Sequence, residues 1–259
     1  MNPAVAAIVE RVRDAHASGR ALRIRGGGTK AFYGEAPTGD VLDVRTLVGA
    51  ADHEPSELVV TAPAGMPLAD LEALLAEKGQ CLAFEPPRFG PGSTVGGMVA
   101  AGLSGPSRAS AGSVRDHLLG VTLISGTGEL MHFGGRVIKN VAGYDVSRVI
   151  AGSLGILGVI VEVSLKVLAR AQGEATLRFD CKPAEALALL HGWGARPLPL
   201  DASAWWNGSL IVRLRGAGAA VAEGARTLGG EAIPAAASSR TSPATTSRAL
   251  SPDRSAFSA

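Results

Sequence analysis

The segment from Gly90 to Gly105, GPGSTVGGMVAAGLSG, is the strongest single constraint on the fold: it is dense in glycine and carries no charge. Glycine lets the backbone approach a neighbour closely and reach positive φ, at a cost in helix or strand stability. A small-residue helix starting near Thr94 would direct the free N–H groups of its first turn at a ligand anion, and its small side chains would let a flat ring lie close. The same residues also suit close packing of a helix on a sheet. Both readings require regular structure wrapped around this segment, and the flanking sequence supplies it.

Val5, Ile8, Val9 and Val12 recur at helical spacing, so residues 4–17 read as an amphipathic helix ended by Gly19. Strands are expected at 22–25, 41–44, 57–62 and 81–84. Pro67 opens a helix, PLADLEALLAEKG, with Leu68, Leu71, Leu74 and Leu75 on one face. Residues 120–125 and 129–133 flank Gly126-Thr127-Gly128 as a hairpin. Residues 140–150 read as a short helix, and the alternation in GVIVEVSLKVL makes 158–168 a strand.

From residue 175 the texture changes. ATLRFD, PAEALALLHGW, ASAWWN, SLIVRLRG and AGAAVAEGARTLGG read in order as β, α, β, β and α, a ferredoxin-like pattern that stops midway. The expected fold class is therefore α+β. Residues 1–170 form one domain of two α+β subdomains, and 171–234 the start of an incomplete ferredoxin-like domain of cap or substrate type. Residues 235–259, rich in serine and threonine, read as disordered or as a non-native tail from a shifted reading frame.

Composition narrows the function classes. The 259 residues are 46% hydrophobic with a net charge of +2, acids and bases interspersed, which speaks against a nucleic-acid surface or a polybasic membrane anchor. Two cysteines, Cys81 and Cys181, cannot ligate an iron–sulfur cluster or build a four-cysteine zinc site, and are expected as reduced thiols. The histidines, His16, His53, His117, His132 and His191, are scattered, and no metal is expected. Glu10, Arg11 and Arg13 interrupt any signal-peptide core, and Glu162 and Lys166 break the apolar stretch 149–168. No membrane span and a cytoplasmic location are the expectation.

Five glycine-containing stretches carry the chemistry. Arg25-Gly26-Gly27-Gly28-Thr29-Lys30 follows a strand; successive N–H groups in such a turn make an anion-binding nest, and Arg25 or Lys30 can offset a pyrophosphate's charge. By itself a Gly-Gly-Gly run is equally a tight structural turn. Gly26, Gly28 and Ala31 also satisfy G-x-G-x-x-A, but AFYGEAPTGD follows with no room for a helix, which excludes a Rossmann site. Ser93 to Gly102 is the second stretch, Gly112 to Asp116 the third, Lys139 to Asp145 the fourth and Gly152 to Ile160 the fifth.

In this order and spacing the five stretches resemble the PCMH-type FAD-binding domain of the vanillyl-alcohol oxidase superfamily, from about Ala4 to Leu168. APAGMPLADLEALLAEKGQCLAFEPP is similar to that family's strand, helix and proline turn ahead of its T-[VI]-G-G loop. KNVAGYDVSRVIAGSLGILGVIVEV is similar to the FAD-binding subunits of bacterial glycolate oxidase, the glycolate dehydrogenase complex. The resemblance implies FAD as cofactor, its pyrophosphate cradled by Arg25, Gly26, Gly27, Gly28, Thr29 and Lys30. It implies that Ser93, Thr94, Val95, Gly96, Gly97, Ala101 and Gly102, with Pro87 of the proline turn, line the flavin and ribityl chain. Gly112, Ser113, Arg115 and Asp116, together with Gly155, Gly158, Val159 and Ile160, would wrap the adenine side and the isoalloxazine edge. Some relatives attach flavin covalently through His or Cys. The first loop here has neither, and His117 and Cys81 sit in no attachment motif, so bound FAD is expected to be dissociable.

The resemblance further implies oxidation of glycolate, or a similar 2-hydroxy acid, to glyoxylate or its analogue with flavin as acceptor. That reaction needs a base for the hydroxyl proton and a cation for the carboxylate. The H-x-G-D-G-N-x-H segment of related D-2-hydroxy-acid dehydrogenases is absent. Lys139, Tyr144 and Arg108 are polar groups that would suit a place near the flavin and equally suit solvent, so no catalytic residue is assigned. Trp205 and Trp206 read as packing or a subunit interface. Two functional classes follow: a catalytic flavoprotein subunit, or a FAD-bearing electron-transfer or assembly subunit beside a sister flavoprotein that does the chemistry. Another PCMH-type oxidation, of a lactone or sugar, is the third reading. The implied partners are a sister flavoprotein subunit and an iron–sulfur subunit, through which the chain would sit peripherally at the inner membrane.

Overall fold

Asn2 accepts a hydrogen bond from the Ala4 N–H at 2.9 Å and Pro3 occupies the first turn, so the opening helix is capped as the sequence requires. The computed structural model describes residues 2–36, 38–135 and 146–234. They fall into two units, Met1–Ala171 and Gln172–Ala259.

Unit one begins with α1 (Pro3–Ala17), β1 (Leu22–Arg25), β2 (Asp40–Asp43), β3 (Asp52–Glu54) and β4 (Val59–Pro63). Then come α2 (Leu68–Glu77), β5 (Gln80–Cys81), α3 (Val95–Ala101), α4 (Arg108–Ala111) and α5 (Val114–His117). β6 (Leu118–Ile124), β7 (Leu130–Gly134), α6 (Val146–Ile150), β8 (Val159–Lys166) and β9 (Leu168–Ala169) follow. β1 and β2 form a parallel pair, and β5 pairs with β9. The main sheet is antiparallel in the order β3-β4-β8-β6-β7. Its inner positions, including Val60, Ala62, Val163 and Leu165, are fully buried with Leu68, Leu71 and Leu75 of α2 and Val95 and Val99 of α3. Each such side chain contributes about 1.5–3 kcal/mol, enough to hold the glycine segment of α3 against the sheet despite its poor helix propensity.

Unit two runs β10 (Gly173–Asp180), α7 (Pro183–Gly194), β11 (Leu200–Trp206), β12 (Ser209–Gly216), α8 (Gly218–Leu228) and β13 (Glu231–Ile233). The sheet order β11-β12-β10-β13, antiparallel throughout, is the split βαβ arrangement. Its core gathers Leu177, Leu210, Val212, Leu214 and Trp193. The unit carries one strand more than its sequence pattern indicates. β13 is three residues long, too short for any periodicity, and exists because Thr176–Arg178 of β10 offers it a ladder.

Three other local differences have physical causes. Residues 81–84 are not a four-residue strand: only Gln80–Cys81 pairs, and Leu82 to Glu85 turn, with Glu85 at φ 49°. The strand expected at 57–62 starts later, because Leu58 takes φ 56° in a turn after β3. Of the helix expected over 140–150, residues 146–150 are helical and 140–145 lie outside the described residues, as does the tail 235–259.

Candidate functional site

Parallel neighbours cannot be joined by a tight turn. The β1–β2 pair, with Leu22 opposite Asp40 and Arg25 opposite Asp43, therefore makes residues 26–39 a crossover, and the first glycine loop is its opening. No helix occurs among the described residues of that crossover, in keeping with the exclusion of a Rossmann site. The Gly27 backbone lies directly on the second loop: a Cβ there would stand 1.5 Å from the Gly92 carbonyl oxygen. A Cβ on Gly26 would meet Thr94 Oγ1 at 2.6 Å. Gly28, at φ +69°, sits under the Arg25 guanidinium, whose Nε would be 3.1 Å from a Cβ. Thr29 Oγ1 and Ser93 Oγ share a hydrogen bond of 2.9 Å. Two loops far apart in sequence are thus one structure.

The N–H groups available to an anion are not where the helix-start reading places them. At the start of α3, the Val95 N–H donates to the Met66 carbonyl at 2.9 Å and the Gly96 N–H to the Ala64 carbonyl at 2.8 Å. The Gly97 N–H donates to Thr94 Oγ1 at 3.2 Å. The first turn of α3 is therefore saturated by protein, and Gly96 serves close packing, since a Cβ would meet that of Ala64 at 2.7 Å. This corrects the expectation of free donors at Thr94–Gly97. In the first loop, by contrast, the N–H groups of Gly27, Gly28 and Thr29 have no acceptor among the described residues. Three successive unengaged donors in a turn are what an anion nest requires.

The far end of α3 meets the fifth stretch. Gly102, at φ +62°, leaves no room for a Cβ, which would lie 2.8 Å from Gly152 Cα. The Gly152 N–H donates to the Val99 carbonyl at 3.0 Å and the Leu154 N–H to Ala100 at 2.9 Å. Gly155 rests on Ile24 of β1, where a Cβ would be 3.2 Å from Cδ1. Gly155, Gly158 and Val159 also line a cavity of about 310 Å³ with Ile24, Ile124 and Ala15. Val159 and Ile160 themselves are buried in β8. Ala101 is buried and Pro87 half-buried.

The third stretch is turned inward on itself. Asp116 accepts from the Ser113 N–H and Ser113 Oγ, both at 2.8 Å, a capping box for α5. The hydrogen bond from the Ser113 backbone is the chief cause holding its carboxyl below the usual range. Val114 N–H reaches Ser104 Oγ at 3.1 Å, tying this turn to the segment after α3. Gly112, at φ +91°, lies against the Asp116 side chain, and Arg115 is exposed. His117 is 3% exposed, with Nδ1 on the Lys166 carbonyl at 3.1 Å and Nε2 on that of Ala111 at 2.9 Å.

Positive charge gathers at the first loop. Lys30 is half-buried, its pKa lowered by that burial, and it has no ion pair among the described residues. Arg23, on the same face of β1 as Arg25 by strand alternation, has a buried Nε with no hydrogen-bond partner. Below the second loop, Arg88 lies 2.7 Å from Glu72 Oε2 without hydrogen-bonding geometry, and burial raises the Glu72 pKa despite that cation.

Residues 4–134 match the FAD binding domain family. The chain belongs to that family. FAD is accordingly its cofactor. Among members and relatives, the chain is 44% identical over 227 residues to glycolate oxidase subunit GlcE of Escherichia coli, covering 88% of this chain and 65% of that one. It is 30% identical to glycolate oxidase subunit GlcD of Bacillus subtilis over 59% of this chain and 33% of that one. The chain thus spans less than two thirds of the length of these curated relatives. A solved alkyldihydroxyacetonephosphate synthase superposes with a TM-score of 0.64 at 20% identity, over 86% of this chain and half of that one, which places the fold in the same class.

Lys139 and Tyr144 lie outside the described residues, and Arg108 is exposed on α4. No group of His, Cys, Asp or Glu suited to a metal ion occurs among the described residues. No helix among them is long and apolar enough to cross a membrane. Trp205 donates to the Cys181 carbonyl at 2.9 Å, while Trp206 is exposed. Sequence reasoning passed over Gly90, Gly92, Gly152 and Arg23 as individual positions. For the glycines the signal was their density; for Arg23 it was period-two alternation from Arg25.

Proposed function

We propose that this chain is the FAD-carrying subunit of a glycolate oxidase complex, oxidising glycolate to glyoxylate with the flavin as electron acceptor. The observation that carries the proposal is the direct seating of Gly27 on Gly92, with three unengaged N–H groups, the Arg25 guanidinium over Gly28 and Lys30 at the end of the loop. These residues fit a pyrophosphate: the second loop closes one side of the turn at Gly27, the N–H groups of Gly27, Gly28 and Thr29 have no acceptor among the described residues, and the Arg25 guanidinium stands over Gly28. The 44% identity to a glycolate oxidase subunit supports this substrate class.

When bound, FAD supplies the two-electron acceptor. The chain's own residues would do the rest of the holding. Gly27, Gly28 and Thr29 donate backbone N–H groups to the pyrophosphate, Arg25 and Lys30 offset its charge, and the small residues from Thr94 to Gly102 let the ring system lie close. Gly155, Gly158 and Val159 bound the cavity beside β1, Ile160 packs in the core behind them, and Gly112, Ser113, Arg115 and Asp116 shape the turn beyond α3. His117, buried between two carbonyls, is not placed to attack the flavin, and in this reading the cofactor is held without a covalent bond.

A second reading has a specific observation behind it. His16, His53, His117, His132 and His191 fall on separate elements, and the described residues gather no histidine pair beside the cradle. That favours a FAD-bearing electron-transfer or assembly subunit whose sister flavoprotein handles the substrate proton. Both readings place the chain in a complex with a sister flavoprotein and an iron–sulfur subunit, in the cytoplasm or at the inner membrane through them. The test is reduction of an artificial acceptor by the purified, FAD-loaded chain on adding glycolate. Turnover supports the catalytic subunit; bound FAD without turnover alone, regained on adding the partners, supports the second reading.

A further inference from the structure

Phe32 and Phe89 stand at the outer ends of the two loops that meet in the cradle. Phe32 lies three residues beyond Thr29, and Phe89 immediately precedes Gly90. Their rings meet edge to face, with centroids 4.9 Å apart and planes at 75°. Both are largely in solvent, 65% and 50% exposed. Rings so exposed remove little apolar area from water, so their contribution to folding is small. An edge-to-face pair nonetheless has an attraction of its own, directed between the two segments that carry it.

Closer in, the loops meet through the Thr29–Ser93 hydrogen bond, through Gly26 on Thr94 and Gly27 on Gly92, and through Gly90, where a Cβ would be 3.2 Å from Thr29 Cγ2. The arm after Thr29 is held internally by turn bonds, from Ala31 N–H to Gly28 and from Tyr33 N–H to Lys30. The second loop is anchored more firmly. The Leu68 N–H donates to the Ser93 carbonyl at 2.8 Å, and Arg88, next to Phe89, reaches Glu72 of α2. One side of the cradle is therefore fixed and the other is a turn that needs fastening.

We propose that the Phe32–Phe89 pair is a latch, fastening the first loop to the anchored second loop and so setting the width of the cradle for FAD. Both are positioning residues, acting through Gly27, Gly28 and Thr29. The inference rests on the reading above that FAD binds in this cradle.

The full-length apo chain tests it, titrated with FAD and followed by flavin absorbance and fluorescence. The set is wild type, Phe32→Ala, Phe89→Ala, the double variant and Phe32→Tyr, with urea unfolding of each apo protein. Each alanine is expected to raise the Kd for FAD roughly three- to tenfold. The double variant is expected to go no further than either single, Phe32→Tyr to restore wild-type affinity, and the apo unfolding midpoints to stay together. Unchanged affinity in both single variants overturns the latch. So do additive losses in the double variant, which would mean that each ring touches FAD independently. A wild-type chain that folds but takes up no FAD would remove the cradle reading itself, and the latch with it.

Discussion

Gly27→Ala is the smallest change that tests whether the two glycine loops form the cradle. The added Cβ would stand 1.5 Å from the Gly92 oxygen and 2.4 Å from its carbonyl carbon. Real Cβ atoms do not come within 3.0 Å of such atoms, so the loops must part by about 1.5 Å. Gly27 has no positive φ, so the effect is steric rather than conformational. Parting takes the Thr29–Ser93 hydrogen bond from 2.9 Å to about 4.4 Å, beyond any hydrogen bond. Overpacking costs about 1–3 kcal/mol and the lost hydrogen bond about 1 kcal/mol. A loss of about 2–4 kcal/mol lowers the Tm of a unit this size by roughly 5–15 °C. FAD affinity is expected to drop at least roughly tenfold, since a displacement of that size exceeds what preorganised contacts tolerate. Gly192→Ala is the control, because nothing lies within 4 Å of a Cβ there and it lines no part of the cavity beside β1. The assay is calorimetry of the apo chain with FAD titration of both variants. A Gly27→Ala protein that unfolds and binds FAD like Gly192→Ala would refute the geometry.

Other expectations follow from single side chains. Burial dominates over Arg88 in raising the Glu72 pKa, so the stability tied to this group is present below its unfolded value of 4.5 and lost as pH rises through the higher folded value. Glu72→Gln should therefore raise the unfolding midpoint at pH 7 and match wild type below pH 4.5 in a series of denaturant melts. Asp116 is the opposite case: the Ser113 backbone hydrogen bond lowers its pKa, so its contribution is present above 3.8 and lost as pH falls through the folded value. Asp116→Asn should lower the midpoint at pH 7 and lose less stability than wild type on acidification, read in the same melts. His117→Ala strands the carbonyls of Ala111 and Lys166, and should cost about 1–3 kcal/mol by calorimetry. Its FAD should still leave on acid precipitation, as in wild type.

Much of unit one is legible because its elements have strong periodicity. Val5, Ile8, Val9 and Val12 mark α1, and the run from Val159 to Lys166 alternates as a strand buried on one face should. The glycine stretches announced a site because so many Cβ-free positions in order have few other uses. What the sequence could not yield depends on partners distant along the chain. The donors of Val95 and Gly96 are engaged by Met66 and Ala64, some thirty residues earlier, and no local pattern near Thr94 records that. The parallel register of β1 with β2 is likewise non-local, as is the pairing of β13 with β10. Phe32 and Phe89 sit in turn-rich segments without periodicity, so only the fold reveals that their rings meet.

The most direct test of the central claim is the visible spectrum of the purified full-length chain, with chromatography of whatever denaturation releases. The account predicts a flavin spectrum, or its appearance on adding FAD, and quantitative recovery of intact FAD in the supernatant after the protein is precipitated. A folded chain that stays colourless after incubation with FAD and gel filtration would contradict it.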